Sequence, residues 1–119
     1  MKFRVEREVL AEALGAAARV ASTRNNAMPA LSGVRIEVTG DKLLLSCTDN
    51  DLSVQFVLNV GGQEDGVVVA SAKLMSDIVR SMSEGKVTVE TTGETVSVSS
   101  GRAQFTVPTF AATDFPNIV

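Results

Sequence analysis

Two segments of this chain repeat one another at a constant offset of 53 residues. Residues 36–46 read I-E-V-T-G-D-K-L-L-L-S, and residues 89–99 read V-E-T-T-G-E-T-V-S-V-S. Glu37 answers Glu90, Thr39 answers Thr92, Gly40 answers Gly93, Asp41 answers Glu94 and Ser46 answers Ser99. Each copy predicts a strand, a tight Gly-acid turn and a returning strand. Each is preceded by a strand that leads into an amphipathic helix. A chain built twice from one unit points to an assembly module rather than to a single catalytic pocket.

The flanking periodicities extend the repeat. Residues 2–6 (K-F-R-V-E) alternate, with Phe3 and Val5 on one face, as in a half-buried strand. From Glu6 to Ala21 the period becomes helical, with Val9, Leu10, Ala13, Leu14, Ala17 and Val20 as the apolar stripe. Glu8, Glu12 and Arg19 lie on the other side, with Gly15 between them. In the second half Gly66 precedes the strand V-V-V-A, Ser71 suits an N-cap, and Leu74, Met75, Ile78, Val79 and Met82 are expected to face inward. These helices align at an offset of 65, so the first half carries about 12 extra residues between helix and hairpin, roughly residues 20–31. A loop present in one copy only is a candidate for added function.

Each half closes with a third strand, residues 52–58 and 102–107. Leu52, Val54, Phe56 and Leu58 share a face of the first, and Ala103, Phe105 and Val107 share a face of the second. Pro108 has no N–H for a ladder, so the last strand is expected to end there or to lie at an edge. G-G-Q-E-D-G (61–66) reads as a joint between halves of about 1–60 and 66–110. The order predicts an α+β fold: a duplicated β-α-β-β-β unit, two helices packed on antiparallel sheet, in a single domain over 1–119. The tail A-T-D-F-P-N-I-V reads as an exit segment, from which the natural chain is expected to continue.

No catalysis is expected of these residues. There are 119 residues with no histidine, no Trp, no Tyr and five Phe, so the commonest general base and metal ligand is missing and the core is aliphatic. T-D-N-D (48–51) opens like a calcium loop through Asp49 and Asp51, but Val54 and Val60 stand where the central Gly and distal Glu are needed. Gly85-Lys86 lacks the rest of a phosphate loop, since Arg80 and Val87 occupy the other required positions. No metal site and no cofactor is expected. Cys47 reads as a small buried hydrophobe. The start M-K-F-R-V-E-R-E has no apolar h-region, and no apolar run reaches transmembrane length, so no membrane association and a cytoplasmic location are expected.

The formal charge of −3 denies the chain a global basic footprint and leaves only a local one. Lys73, Asp77 and Arg80 share one face of the second helix. Arg7 and Arg19 sit at the two ends of the first, and Arg24 falls in the extra loop. Singly, each reads as an ordinary solvated charge. They become a site only if the two helices lie side by side.

M-K-F-R-V-E-R-E-V-L at the start, R-x(4)-P-A-L from Arg24 to Leu31, S-G-R-A-Q-F (100–105) and D-F-P-N (114–117) together resemble the amino-terminal domain of the bacterial DNA polymerase III beta subunit, the sliding-clamp family. The Ala-rich, His-free version resembles clamps of actinobacterial type. The resemblance implies a DNA-clamp fold, three such domains in the full chain, and two chains closed head to tail into a homodimeric ring around double-stranded DNA. It implies a non-catalytic processivity factor that tethers the replicative polymerase and meets its clamp loader through domains absent here. Arg24, Lys73, Arg80, Arg19 and Arg7 would then line or flank the DNA channel. Arg102, Gln104, Phe105 and Val107 would lie on the strand that joins the other subunit, with Gln104 where the family often has a second basic residue. A rival reading is a β-rich interaction or oligomerisation domain that never meets DNA, since open strand edges pair chains readily.

Overall fold

Turn chemistry and alternation produce the two hairpins that the repeat predicts. The computed structural model describes residues 1–21, 33–48, 53–82, 85–101 and 103–110. The elements run β1 (Lys2–Glu6), α1 (Arg7–Ala21), β2 (Gly33–Thr39), β3 (Lys42–Thr48), β4 (Ser53–Asn59), β5 (Gly61–Glu64), β6 (Gly66–Ser71), α2 (Ala72–Ser81), β7 (Lys86–Thr92), β8 (Thr95–Ser100) and β9 (Ala103–Phe110). Gly40 and Gly93 turn the hairpins at φ of 60° and 63°, a conformation that L side chains resist and tight hairpins require. β2 pairs β3 from Arg35↔Ser46 to Thr39↔Lys42, and β7 pairs β8 from Thr88↔Ser99 to Thr92↔Thr95. One register is the other displaced by 53.

The first strand of each half does not pair with its own hairpin. β1 pairs with β7, and β6 pairs with β2. Lys2↔Glu90 is answered by Val67↔Glu37, and Glu6↔Lys86 by Ser71↔Gly33. These ladders coincide when the first strand moves by 65 and the hairpin strand by 53. Each half thus lends a strand to the other, and neither sheet is complete alone. The sheet order is β4-β3-β2-β6-β9-β8-β7-β1-β5, with every pair antiparallel.

Two features differ from the sequence reading. Residues 61–66 are not only a joint: β5 pairs along β1, with Phe3↔Gly62 and Arg4↔Gly61. Gly62 comes so close to the first hairpin turn that a Cβ there would collide with the Gly40 carbonyl oxygen. Asp41 Oδ1 accepts from Gly62 N at 3.2 Å, and Asp65 Oδ1 accepts from Gly40 N at 2.9 Å, which latches β5 to that turn. Second, β9 runs through Pro108 to Phe110. Thr109 N donates to Glu94 O at 3.1 Å, so strand alternation turns the Pro108 nitrogen away from β8 and no ladder bond is lost. On its other side β9 pairs with β6 only at Thr109 and Phe110, because β6 leaves the sheet at Ser71 to become α2. The edge of β9 from Ala103 to Val107 is left unpaired among the described residues.

Alternation puts Phe3, Val5, Ile36, Leu43, Leu45, Val89, Val96 and Val98 into one buried cluster with Leu10, Leu14, Met75 and Val79 of the helices. Cys47 joins that cluster and is fully buried, as a small hydrophobe should be. The other face of the strands is largely half-buried or exposed, as antiparallel sheet allows, but Ser46 of β3 and Val69 of β6 on that face are buried. Val9 and Leu74, expected to face inward, are 42% and 41% exposed. They occupy equivalent positions at the offset of 65. Each sits one residue, about 100° of helix rotation, from the central rows Leu10-Leu14-Ala17 and Met75-Val79-Met82, at the margin of the stripe.

The expected N-cap is present: Ser71 is extended and its hydroxyl accepts from Leu74 N at 3.2 Å. Ser71→Ala should lower stability by about 1 kcal/mol, read from the urea unfolding midpoint. An unmoved midpoint would show that this cap contributes nothing.

Candidate nucleic-acid interface

α1 and α2 pack against each other in opposite directions. The start of α1 meets the end of α2, where Arg7 N donates to Gly85 O at 2.7 Å and Arg7 Nη2 donates to the Arg80 carbonyl oxygen at 2.9 Å. Between the helices runs a shallow cleft lined by Gly15, Ala18, Arg19, Lys73, Ser76, Asp77 and Arg80. Its floor is small residues. A Cβ on Gly15 would lie 3.8 Å from Arg80 Nη2 and 3.9 Å from both Arg19 Nη1 and Ser76 Oγ. Two guanidinium groups from different helices therefore converge over the missing side chain of Gly15.

Helix electrostatics accounts for part of this arrangement. Arg19 and Arg80 sit in the last turns of their helices, where the dipole favours a cation. Lys73 does not fit that account. It stands in the first turn of α2, where a cation is disfavoured, and that turn has no acidic residue. Lys73 and Arg80 are both exposed and form no ion pair among the described residues. Among the described residues the groove is lined by three cations and one carboxylate, Asp77, which gives a local positive excess to a chain whose net charge is negative. A polyanion is the partner that such an excess suits.

The other sequence-predicted residues separate from this cluster. Arg7 is half-buried, and its Nε is buried without a partner among the described residues. It serves as the tie between α1 and α2 and does not line the groove. Arg24 lies outside the described residues, as do Arg102, Asp49 and Asp51. Gln104 and Phe105 are exposed on the open edge of β9, with Phe105 40% exposed and Gln104 Nε2 donating to Ser97 Oγ at 3.1 Å. Val107 has no exposed surface at all: it fills the core of this domain and offers nothing to a partner while the fold is intact. Sequence reasoning does not find Gly15, Ala18 and Ser76 as groove residues. Their only signal is smallness, on helix faces whose meeting the sequence does not reveal.

The model of the DNA polymerase III beta subunit, N-terminal domain, matches residues 1–119. The chain belongs to that family. The beta sliding clamp of Streptomyces coelicolor is 35% identical over 116 residues, which cover 98% of this chain and 31% of that protein. The beta sliding clamp of Escherichia coli K12 is also 35% identical, over 120 residues that cover 99% of this chain and 32% of that protein. The equal identities give the actinobacterial resemblance no preference. The structure of Caulobacter crescentus pol III beta superposes with a TM-score of 0.93 at 31% identity, over 100% of this chain and 32% of that one. This beta-subunit N-terminal domain thus has the clamp fold, and the chain spans about a third of the length of its relatives. In the clamp fold, the small-residue crossing of α1 and α2 is what holds the cations of this domain in one groove.

Proposed function

We propose that this chain is the first domain of a sliding clamp, the non-catalytic processivity subunit of a bacterial replicative DNA polymerase. The whole protein would carry three such domains and close with a second copy into a head-to-tail ring around duplex DNA. Polymerase and clamp loader would dock on other domains, in the cytoplasm. The observation that carries this reading is the α1–α2 groove, where Arg19, Lys73 and Arg80 converge and Asp77 is the single carboxylate among the described lining residues.

Such a groove contacts phosphate and water and has no element shaped to read base edges. That is what sliding needs. A duplex presents one charge per ~1.7 Å of axis, so a diffuse cationic wall sees a nearly smooth potential, whereas a deep, registered contact would act as a brake. Arg24 is proposed to reach the same DNA from its loop. The open edge of β9, with Gln104 and Phe105, is proposed as the joint with the other subunit, where an unpaired strand completes a sheet across the ring, and Arg102, which precedes that strand in the sequence, is proposed to contribute to it.

The test uses the complete reading frame that includes this chain. Labelled protein is loaded on nicked circular DNA with a clamp loader and ATP, gel-filtered, and the circle is then cut. Retention on circles that is lost on linearisation is the expected result. Retention that survives cutting would mean ordinary binding. No retention, with a control clamp loading normally, would favour an interaction module that never meets DNA.

A further inference from the structure

Among the described residues, Asp77 is the one acidic residue that lines the α1–α2 groove. It lies one turn from Lys73 and one turn from Arg80, is exposed, and forms no ion pair with either. It is neither capping a helix nor buried, so packing gives it no task. Its equivalent at the offset of 65 is Glu12, also exposed, on the outer face of α1. The two halves have diverged at the neighbouring positions, where Glu8 answers Lys73 and Gly15 answers Arg80, yet both keep a carboxylate here.

We infer that Asp77 tempers the groove: its carboxylate, standing among Arg19, Lys73 and Arg80, weakens their hold on the phosphate backbone and so keeps the ring mobile on DNA. This rests on the clamp reading above. One helical turn separates Asp77 from Lys73 and from Arg80, which is inside the Debye length of ~8 Å at physiological ionic strength. Asp77 therefore lowers the potential that an incoming phosphate feels. It also repels the phosphate directly. Three cations with no carboxylate among them would favour particular phosphate positions and roughen the path. A carboxylate in their midst keeps the net attraction while flattening it.

The experiment compares full-length rings loaded on stretched duplex DNA, with fluorescent label, and measures the one-dimensional diffusion coefficient as KCl is varied. Asp77→Asn keeps the shape and removes the charge. It should slow diffusion about two- to five-fold at low salt, and the difference should shrink as salt rises. Glu94→Gln makes the same change in net charge at the exposed turn of the second hairpin, away from the groove, and should diffuse like the parent. Unchanged diffusion of Asp77→Asn would overturn the inference. Equal slowing by Glu94→Gln would overturn it as well, because the effect would then belong to net charge. These results are read only on a parent ring that leaves DNA on linearisation. A parent that stays after cutting would remove the clamp reading itself, and the inference with it.

Discussion

A full-length protein carrying Lys73→Glu and Arg80→Glu is expected to lose at least about ten-fold in the fraction retained on nicked circular DNA, with its unfolding midpoint unchanged. Both side chains are exposed and neither is in an ion pair among the described residues, so their replacement should alter stability by no more than about 0.5 kcal/mol. The bond that Arg7 makes is to the backbone carbonyl of Arg80, which survives the substitution. The electrostatic effect is much larger. In a ring of two copies, four cations become four anions. For every phosphate that is no longer neutralised, the logarithmic salt slope falls by about 0.9. Circular dichroism and urea unfolding check the fold, and gel filtration of the loaded circles checks the function. Normal retention of a variant with a normal fold would exclude the groove from the loading of the ring onto DNA, since a ring once closed is held by topology. Loss of retention together with loss of fold would show that the two residues are structural.

The second large effect concerns the edge of β9. Phe105→Asp in the full-length protein is expected to weaken the dimer by about 100-fold, seen as a monomer in sedimentation at concentrations where the parent is dimeric. Aromatic anchors at the centre of an interface commonly contribute about 2–4 kcal/mol, and a carboxylate at such a place adds a desolvation cost. Phe105 is the clean probe because it is 40% exposed, so its removal leaves the core in place. Val107 is not: a charge there would enter the buried cluster and unfold the domain before any interface was tested. A Phe105→Asp protein that remains dimeric at the parent's affinity would exclude this edge as the subunit joint.

Both tests fall on features that differ in how far residues alone reveal them. Gly40 and Gly93 announce their turns, because a tight hairpin needs a positive φ and glycine supplies it. Ser71 announces the start of α2, and the helical stripes place Leu10, Leu14, Met75 and Val79 in the core. Val9 and Leu74 look equally apolar in the sequence, but a stripe has margins, and only the neighbours decide whether a marginal side chain is covered. Pro108 looks like a strand end, yet its missing donor matters only on the side that faces a ladder, and the sequence does not say which side that is. β5 is hidden because Gly61 and Gly62 read as a joint, whereas here glycine permits a close backbone approach to Gly40.

By itself the sequence determined the unit: a strand, a helix and a hairpin with a third strand, made twice, with aliphatic residues at every second or every third and fourth position. Local sterics, turn chemistry and burial of one face set those features, and all act over a few residues. The tertiary structure alone decided which strands became neighbours. β1 crossed to β7 and β6 crossed to β2, because alternation specifies the face of a strand but not its partner. That exchange sets α1 antiparallel to α2 and brings Arg19 to Lys73 and Arg80 across Gly15. Charges so far apart in the chain form a site only when packing brings the two helix faces together, and the departure of β6 into α2 is what leaves the edge of β9 open.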